Sequence, residues 1–261
     1  MVGEYTAIET EGLTKRYGNV VAVRSLDLCV NRGEVYAFLG PNGAGKTTTM
    51  RMLTTLTKPT EGSAQVAGFD LSQRGGLTER IGYLPAEPPV FEELTGREYL
   101  RYIARLHELD PAVAEERIDE LLDSFNLLPD AGRIVDEYST GMKNILGVIG
   151  AVLHEPEVLF LDEPTSGLDP RAARTMRDTI ANLAEQEMAV FLSTHILSVA
   201  DELADVVGVI HEGELVAEGT PAELKDRVQS TAAADLETVF LEVTAEERTE
   251  EHEYAPTQTY H

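Results

Sequence analysis

Apolar and polar positions divide the chain into three stretches of different period. In the first, short β-type runs alternate with turns. Val20-Val21-Ala22-Val23 and Leu26-Asp27-Leu28-Cys29-Val30 lead into the turn Asn31-Arg32-Gly33. Val35-Tyr36-Ala37-Phe38-Leu39 is a continuous apolar run and predicts a buried strand. Met50, Leu53 and Leu56 then recur at helical spacing. A Pro59-Thr60-Glu61-Gly62 turn follows, and residues 65–67 read as another short strand. In the second stretch, from 95 to 125, the period is helical. Asp110-Pro111 predicts an N-cap followed by proline at the first helical position, with Ala114, Ile118, Leu121, Leu122 and Phe125 on one face. Residues 88–154 therefore read as a helical insertion. In the third stretch, strand signals return at Val158-Leu159-Phe160-Leu161, Ala189-Val190-Phe191-Leu192 and Val206-Val207-Gly208-Val209-Ile210, with a helical segment over 170–187. Strands alternating with helices predict a parallel α/β sheet. A hairpin is expected around His211-Glu212-Gly213. Leu236, Val239, Phe240 and Val243 fit a late amphipathic helix. Residues from Ala245 onward are polar and acidic, as in a flexible tail.

Candidate chemistry enters between the buried strand and the first helix. Gly40-Pro41-Asn42-Gly43-Ala44-Gly45-Lys46-Thr47 is the phosphate-binding P-loop pattern. Backbone N–H groups around the glycines wrap a phosphate, and the following helix points its positive end at the same anion. Lys46 reaches the outer phosphates, the Thr47 hydroxyl is a ligand for Mg²⁺, and Thr48 continues the binding segment. Strand, glycine loop and helix is the context the motif requires.

Composition narrows the possibilities. The 261 residues carry a formal net charge of −25, with 46 Asp and Glu against 21 Lys and Arg. So acidic a surface repels nucleic-acid phosphates. The acid is spread along the whole chain, which suits a cytoplasm of molar salt; service to a basic partner is the alternative. Cys29 is the only cysteine, so no internal disulfide forms, and it is expected to pack as a small apolar residue in the first strands. No signal peptide is evident at the N-terminus. The longest apolar run, residues 145–153, is well short of the ~20 residues that cross a membrane.

Two carboxylates, Asp162 and Glu163, end the apolar run that starts at Val158. Ligands of open α/β sheets bind at the carboxyl ends of strands, where the P-loop also sits. Asp162 suits Mg²⁺, which takes one or two carboxylates with waters and phosphate oxygens. Glu163 suits the activation of an attacking water. Beside these stand Tyr138-Ser139-Thr140-Gly141-Met142, Ser166-Gly167-Leu168-Asp169 and Ser193-Thr194-His195. In order and spacing the set resembles the nucleotide-binding subunit of an ABC transporter, over roughly residues 5–243.

The resemblance implies a P-loop NTPase (RecA-like) core with a mixed sheet, an N-terminal antiparallel β subdomain and a helical insertion. The ATPase domain would span 1–244, with core about 1–87 and 155–244, helical subdomain about 88–154 and acidic tail 245–261. It implies that Tyr17 stacks on adenine and that Ser139, Thr140, Gly141 and Met142 contact the γ-phosphate held by a second subunit. Ser139 reads equally as a helix N-cap, and the two roles use the same helix end. Asp169 would act across the dimer interface, and His195 would contact γ-phosphate beside Lys46 and Glu163. The implied protein is an ATP- and Mg²⁺-dependent ATPase, one of two copies, peripheral on the cytoplasmic membrane face and driving a separate permease. The ABC-2 exporters have this form.

Two departures stand out. After Ile81-Gly82-Tyr83-Leu84-Pro85 the family usually has glutamine, whereas this chain has Ala86 and then Glu87. Either Glu87 substitutes or the metal keeps an extra water. In the signature, Thr140 replaces glycine, Met142 replaces glutamine, and Asn144-Ile145 stand where Gln-Arg is usual. Rival readings are a soluble ABC-type ATPase acting on DNA or ribosomes, a GTPase, and a non-hydrolysing regulatory subunit. The single cassette and negative charge oppose the first, the histidine and signature segments the second, and intact Lys46, Asp162, Glu163 and His195 the third.

Overall fold

The computed structural model describes residues 6–227 together with Glu237, Phe240 and Leu241. The centre is a six-stranded sheet of order β10-β9-β3-β8-β7-β6. Its strands are β3 (Val35–Leu39), β6 (Ile81–Leu84), β7 (Val158–Asp162), β8 (Ala189–Thr194), β9 (Val206–His211) and β10 (Glu214–Gly219). All are parallel except β10, which returns as a hairpin, His211 facing Glu214. A second, antiparallel sheet has the order β2-β1-β4-β5, from β1 (Thr6–Tyr17), β2 (Val20–Asn31), β4 (Glu61–Val66) and β5 (Phe69–Asp70).

Continuous apolar strands need cover on both faces, and two cores provide it. Val35, Ala37, Leu39, Leu159, Leu161, Val190 and Leu192 meet the helices of one layer. Their alternates Tyr36, Phe38, Val158, Phe160 and Phe191 meet the antiparallel sheet and α1 (Lys46–Leu53). The first layer holds α3 (Gly96–Leu106), α4 (Pro111–Ser124), α5 (Thr140–Val152), α6 (Pro170–Ala184) and α7 (Leu197–Leu203). Short α2 (Arg74–Thr78) and α8 (Pro221–Arg227), with 3-10 turns at Leu128–Asp130 and Val135–Glu137, complete the described elements.

Several expectations need correction. Cys29 is exposed rather than packed: Leu26, Leu28 and Val30 take the inward positions of β2, so the period of two turns residue 29 outward. The two runs before Asn31 form one strand, bent at Ser25 (φ +44°). The helix after the glycine loop stops at Leu53, leaving Leu56 62% exposed. The strand expected at 65–67 is Glu61–Val66, and Ala67 turns with φ +50°. The helical stretch 95–125 is two helices, broken where Glu108 takes φ +55°. Thr95 and Glu98 cap α3 reciprocally, and the Asp110 carboxylate caps α4 as expected. In the late amphipathic helix, Leu236, Val239 and Val243 lie outside the described residues, as does the tail, while Phe240 packs on the core.

The helical insertion is bolted to β6 through a histidine pair. The His107 and His154 rings stack at 3.8 Å and 10°, and His154 Nε2 meets the Ile81 carbonyl oxygen at 3.0 Å. Burial, then the neighbouring His107, push His154 down to about 4, and the Ile81 carbonyl opposes only part of this. Between that value and the ordinary 6.5, the unfolded chain binds the extra proton. Stability is therefore full above the ordinary value and is lost as pH falls through the window. Allowing for the part-exposed ring edge, the expected loss is about 2 kcal/mol. Urea midpoints at pH 7 and about pH 4.5 should fall further for the unaltered chain than for His154→Gln, which keeps a donor for Ile81. Equal falls would show that His154 does not carry the acid sensitivity.

Candidate functional site

The loop at 40–47 joins the C-terminal end of β3 to α1. Gly45 has φ +112°, and a β-carbon there would lie 2.5 Å from the Ala22 carbonyl oxygen, so only glycine fits. The loop folds around its own lysine. Lys46 Nζ donates to the carbonyls of Gly40 at 2.7 Å and Pro41 at 3.1 Å, and it lies 3.2 Å from Glu163 Oε1. A cavity of about 180 Å³ is lined by Ala22, Asn42, Gly43, Gly45, Lys46, Thr47, Thr48 and Glu163.

The carboxylates arrive on β7. Asp162 is buried, and its Oδ1 accepts from Thr47 Oγ1 at 3.3 Å and from Ser193 Oγ at 2.5 Å. Glu163 turns the chain out of the sheet with φ +52°, a costly conformation for a non-glycine residue. Its N–H is held by the Ser193 carbonyl at 3.2 Å and Ser193 Oγ at 3.1 Å. Its side chain bridges Lys46 on Oε1 at 3.2 Å and His195 Nδ1 on Oε2 at 2.9 Å. The parallel register of β3, β7 and β8 sets Leu39, Asp162 and Ser193 at one edge, which is why residues distant in sequence converge. Ser193, fully buried, braces both carboxylate residues, a part the sequence reading missed. Its signal is the buried hydroxyl pair Ser193-Thr194 that ends an apolar strand. Tyr83 on β6 faces the same edge; burial raises its phenol, and the Asp162 charge adds to this.

Other expected site residues lie apart from this group. Tyr17 ends β1, half exposed, with the Lys15 ammonium 5.0 Å from its ring centroid; it does not line the cavity, though Ala22 of the paired strand does. Ser139 N-caps α5, accepting from Met142 N–H at 3.2 Å, and Ser139 and Thr140 are exposed while Gly141 is buried. Asp169 N-caps α6, accepting from the N–H groups of Arg171 at 2.9 Å and Ala172 at 3.1 Å. Ala86 and Glu87 are both exposed in the loop after β6. Thr47 and Asp162 offer Mg²⁺ a hydroxyl and a carboxylate, the hard oxygen donors that ion takes.

Comparison with known proteins identifies the family. The sequence profile of the ABC transporter family matches residues 23–166. The chain is 45% identical over 221 residues to a daunorubicin resistance ATP-binding protein of Streptomyces coeruleorubidus, covering 84% of this chain and 70% of that one. It is 39% identical over 238 residues to a bacitracin transport ATP-binding protein of Enterococcus faecalis, covering 90% and 76%. Among solved structures, the ATP-binding subunit of an ABC transporter superposes with a TM-score of 0.82 at 31% identity, covering 92% of this chain and all of that one.

Proposed function

The chain belongs to the ABC transporter family as an ATP-binding subunit, an ATPase that drives transport, and we propose that two copies of it close head to tail around two ATP molecules to move a separate permease. One observation carries this reading. Lys46, Asp162, Glu163 and His195 gather at the P-loop, whereas the exposed Ser139 and Thr140 stand at the start of a different helix, α5. A site built this way is half complete. The second half is supplied when Ser139, Thr140, Gly141 and Met142 of another copy approach the outer phosphate, with Asp169 beside the seam. The α5 N-terminus then presents free N–H groups and its positive dipole end to that phosphate.

Within one copy, the phosphates of ATP lie along the N–H groups of the 40–47 loop. Lys46 exchanges its carbonyl partners for phosphate oxygens. Thr47 and Asp162 would hold Mg²⁺, which when bound neutralises phosphate charge; Ala86 offers it no ligand. Release of Lys46 frees Glu163 Oε1 to accept a proton from the attacking water, while His195 holds Oε2 and faces the γ-phosphate. Phosphoryl transfer is mostly positioning and charge stabilisation. Tyr17, on the hairpin beside Ala22, would stack on the adenine.

Export is supported by relatives named for daunorubicin resistance and bacitracin transport. No described helix is long and apolar enough to cross a membrane, which supports a peripheral subunit on the cytoplasmic face with the membrane path in another chain. The net charge of −25 supports a cytoplasm of high salt, where the screening length drops to about 3 Å at 1 M from about 10 Å at 0.1 M. One experiment addresses both. Affinity capture of the full chain from native membranes in about 1 M KCl should recover an integral membrane protein in stoichiometric amount. The captured chain should melt at higher temperature in that buffer than in about 0.1 M KCl. Recovery of ribosomes or nucleic acid alone would overturn the transport reading, and a salt-independent melt the halophilic one.

A further inference from the structure

The first turn of α5 lies against the segment that runs from Glu163 into α6. A β-carbon placed on the buried Gly141 would sit 2.7 Å from the Ala172 β-carbon. Carbon atoms pack at about 3.5–4.0 Å, so glycine is required opposite Ala172. Ala172 is itself pinned, because its N–H donates to Asp169 Oδ1 at 3.1 Å. Farther along α5, the buried Asn144 donates from Nδ2 to the Pro164 carbonyl at 3.4 Å, and Pro164 directly follows Glu163. Two contacts thus tie the helix start bearing Ser139 and Thr140 to the stretch bearing Glu163 and Asp169. Room for a phosphate is one reason for glycine at 141; room for the Ala172 methyl group is another.

The geometry points to Ala172 as a positioning residue, whose methyl group sets how far the 139–142 loop stands out and links events at Glu163 in one nucleotide site to the loop the same chain offers the other. This rests on the two-copy reading above. Close-packed interiors transmit displacement, so movement of the 163–169 segment is passed through residue 172 to α5. A larger side chain there pushes the 139–142 loop out of line, and a smaller one leaves it unbraced.

The test uses the full chain carrying Glu163→Gln, in molar KCl. Binding of a fluorescent ATP analogue and the ATP concentration giving half dimerisation, by light scattering, are measured separately. Ala172→Val is expected to leave analogue affinity within about twofold while raising the ATP needed for dimerisation about tenfold, or about 1.4 kcal/mol. Ala172→Gly, which cannot clash, is expected to raise it about threefold, with a thermal midpoint lowered by no more than about 4 °C, the ordinary cost of glycine in a helix. Dimerisation midpoints within about twofold of the Glu163→Gln parent for both variants would overturn the inference. So would shifts that only follow a lower melting temperature or weaker analogue binding. If the parent itself fails to dimerise with ATP, the two-copy reading falls and takes this inference with it; the parent therefore separates the two failures.

Discussion

Glu163→Gln is expected to cut ATP turnover by about 10²–10⁴-fold, the usual worth of a positioned proton acceptor, and to leave ATP binding intact. Glutamine has the shape of glutamate, and its amide oxygen still accepts from His195. What it loses is the charge and basicity needed to take a proton from water. The loop glycines, Lys46 and Thr47 are untouched, so the nucleotide still binds. With hydrolysis slowed, the ATP-loaded pair persists. Light scattering should show the mass doubling on addition of ATP and staying doubled, whereas the unaltered chain returns to its starting mass. Turnover within about threefold of the unaltered chain would remove Glu163 from the chemistry. The Ser193 contacts to the Glu163 N–H hold its left-handed φ of +52° in place, so the glutamine variant keeps the same backbone.

Lys46→Met should weaken ATP binding by at least about 100-fold. The side chain is only 6% exposed, and its ammonium is held by two loop carbonyls and a carboxylate. Its desolvation is therefore met in the folded protein before ATP arrives. Methionine keeps the stem but removes the donors, and charged hydrogen bonds contribute roughly 1.5–3 kcal/mol each. Two lost to the phosphates give about 3–6 kcal/mol, or more than 100-fold. Glu163 also loses its cation and then repels the γ-phosphate. The double variant Lys46→Met/Glu163→Gln should accordingly recover part of the affinity. Titration with a fluorescent nucleotide checks both. A single-variant affinity within about fivefold of the unaltered chain would reduce Lys46 to a brace for the loop.

Legibility in the sequence tracked how strongly each segment is buried. The strands β3, β7, β8 and β9 were readable because each central parallel strand carries a run of four or five non-polar residues, and the P-loop because its glycines and lysine occupy fixed positions. β1 was not read as a strand. Its inward positions include Thr10 and Thr14, and register shifts break the alternation. The buried Thr10 hydroxyl donates to Leu26 O at 2.8 Å and accepts from Leu28 N–H at 2.9 Å, so a polar residue serves a core position. The short helices α2, α7 and α8 span too few turns to show a period. The Asp162 and Glu163 pair was legible as two carboxylates ending a strand. The Ser193 brace was not, because it depends on which strands are neighbours.

The single cysteine makes these movements directly observable. Cys29 is exposed on β2, beside Thr6 Oγ1 at 4.0 Å, and no second thiol exists in the chain. A maleimide dye can therefore be placed at one known position without mutagenesis, on the outward side of the antiparallel sheet. Mixing donor- and acceptor-labelled populations would turn each ATP-driven approach of two copies into an energy-transfer signal, with its rate read in real time.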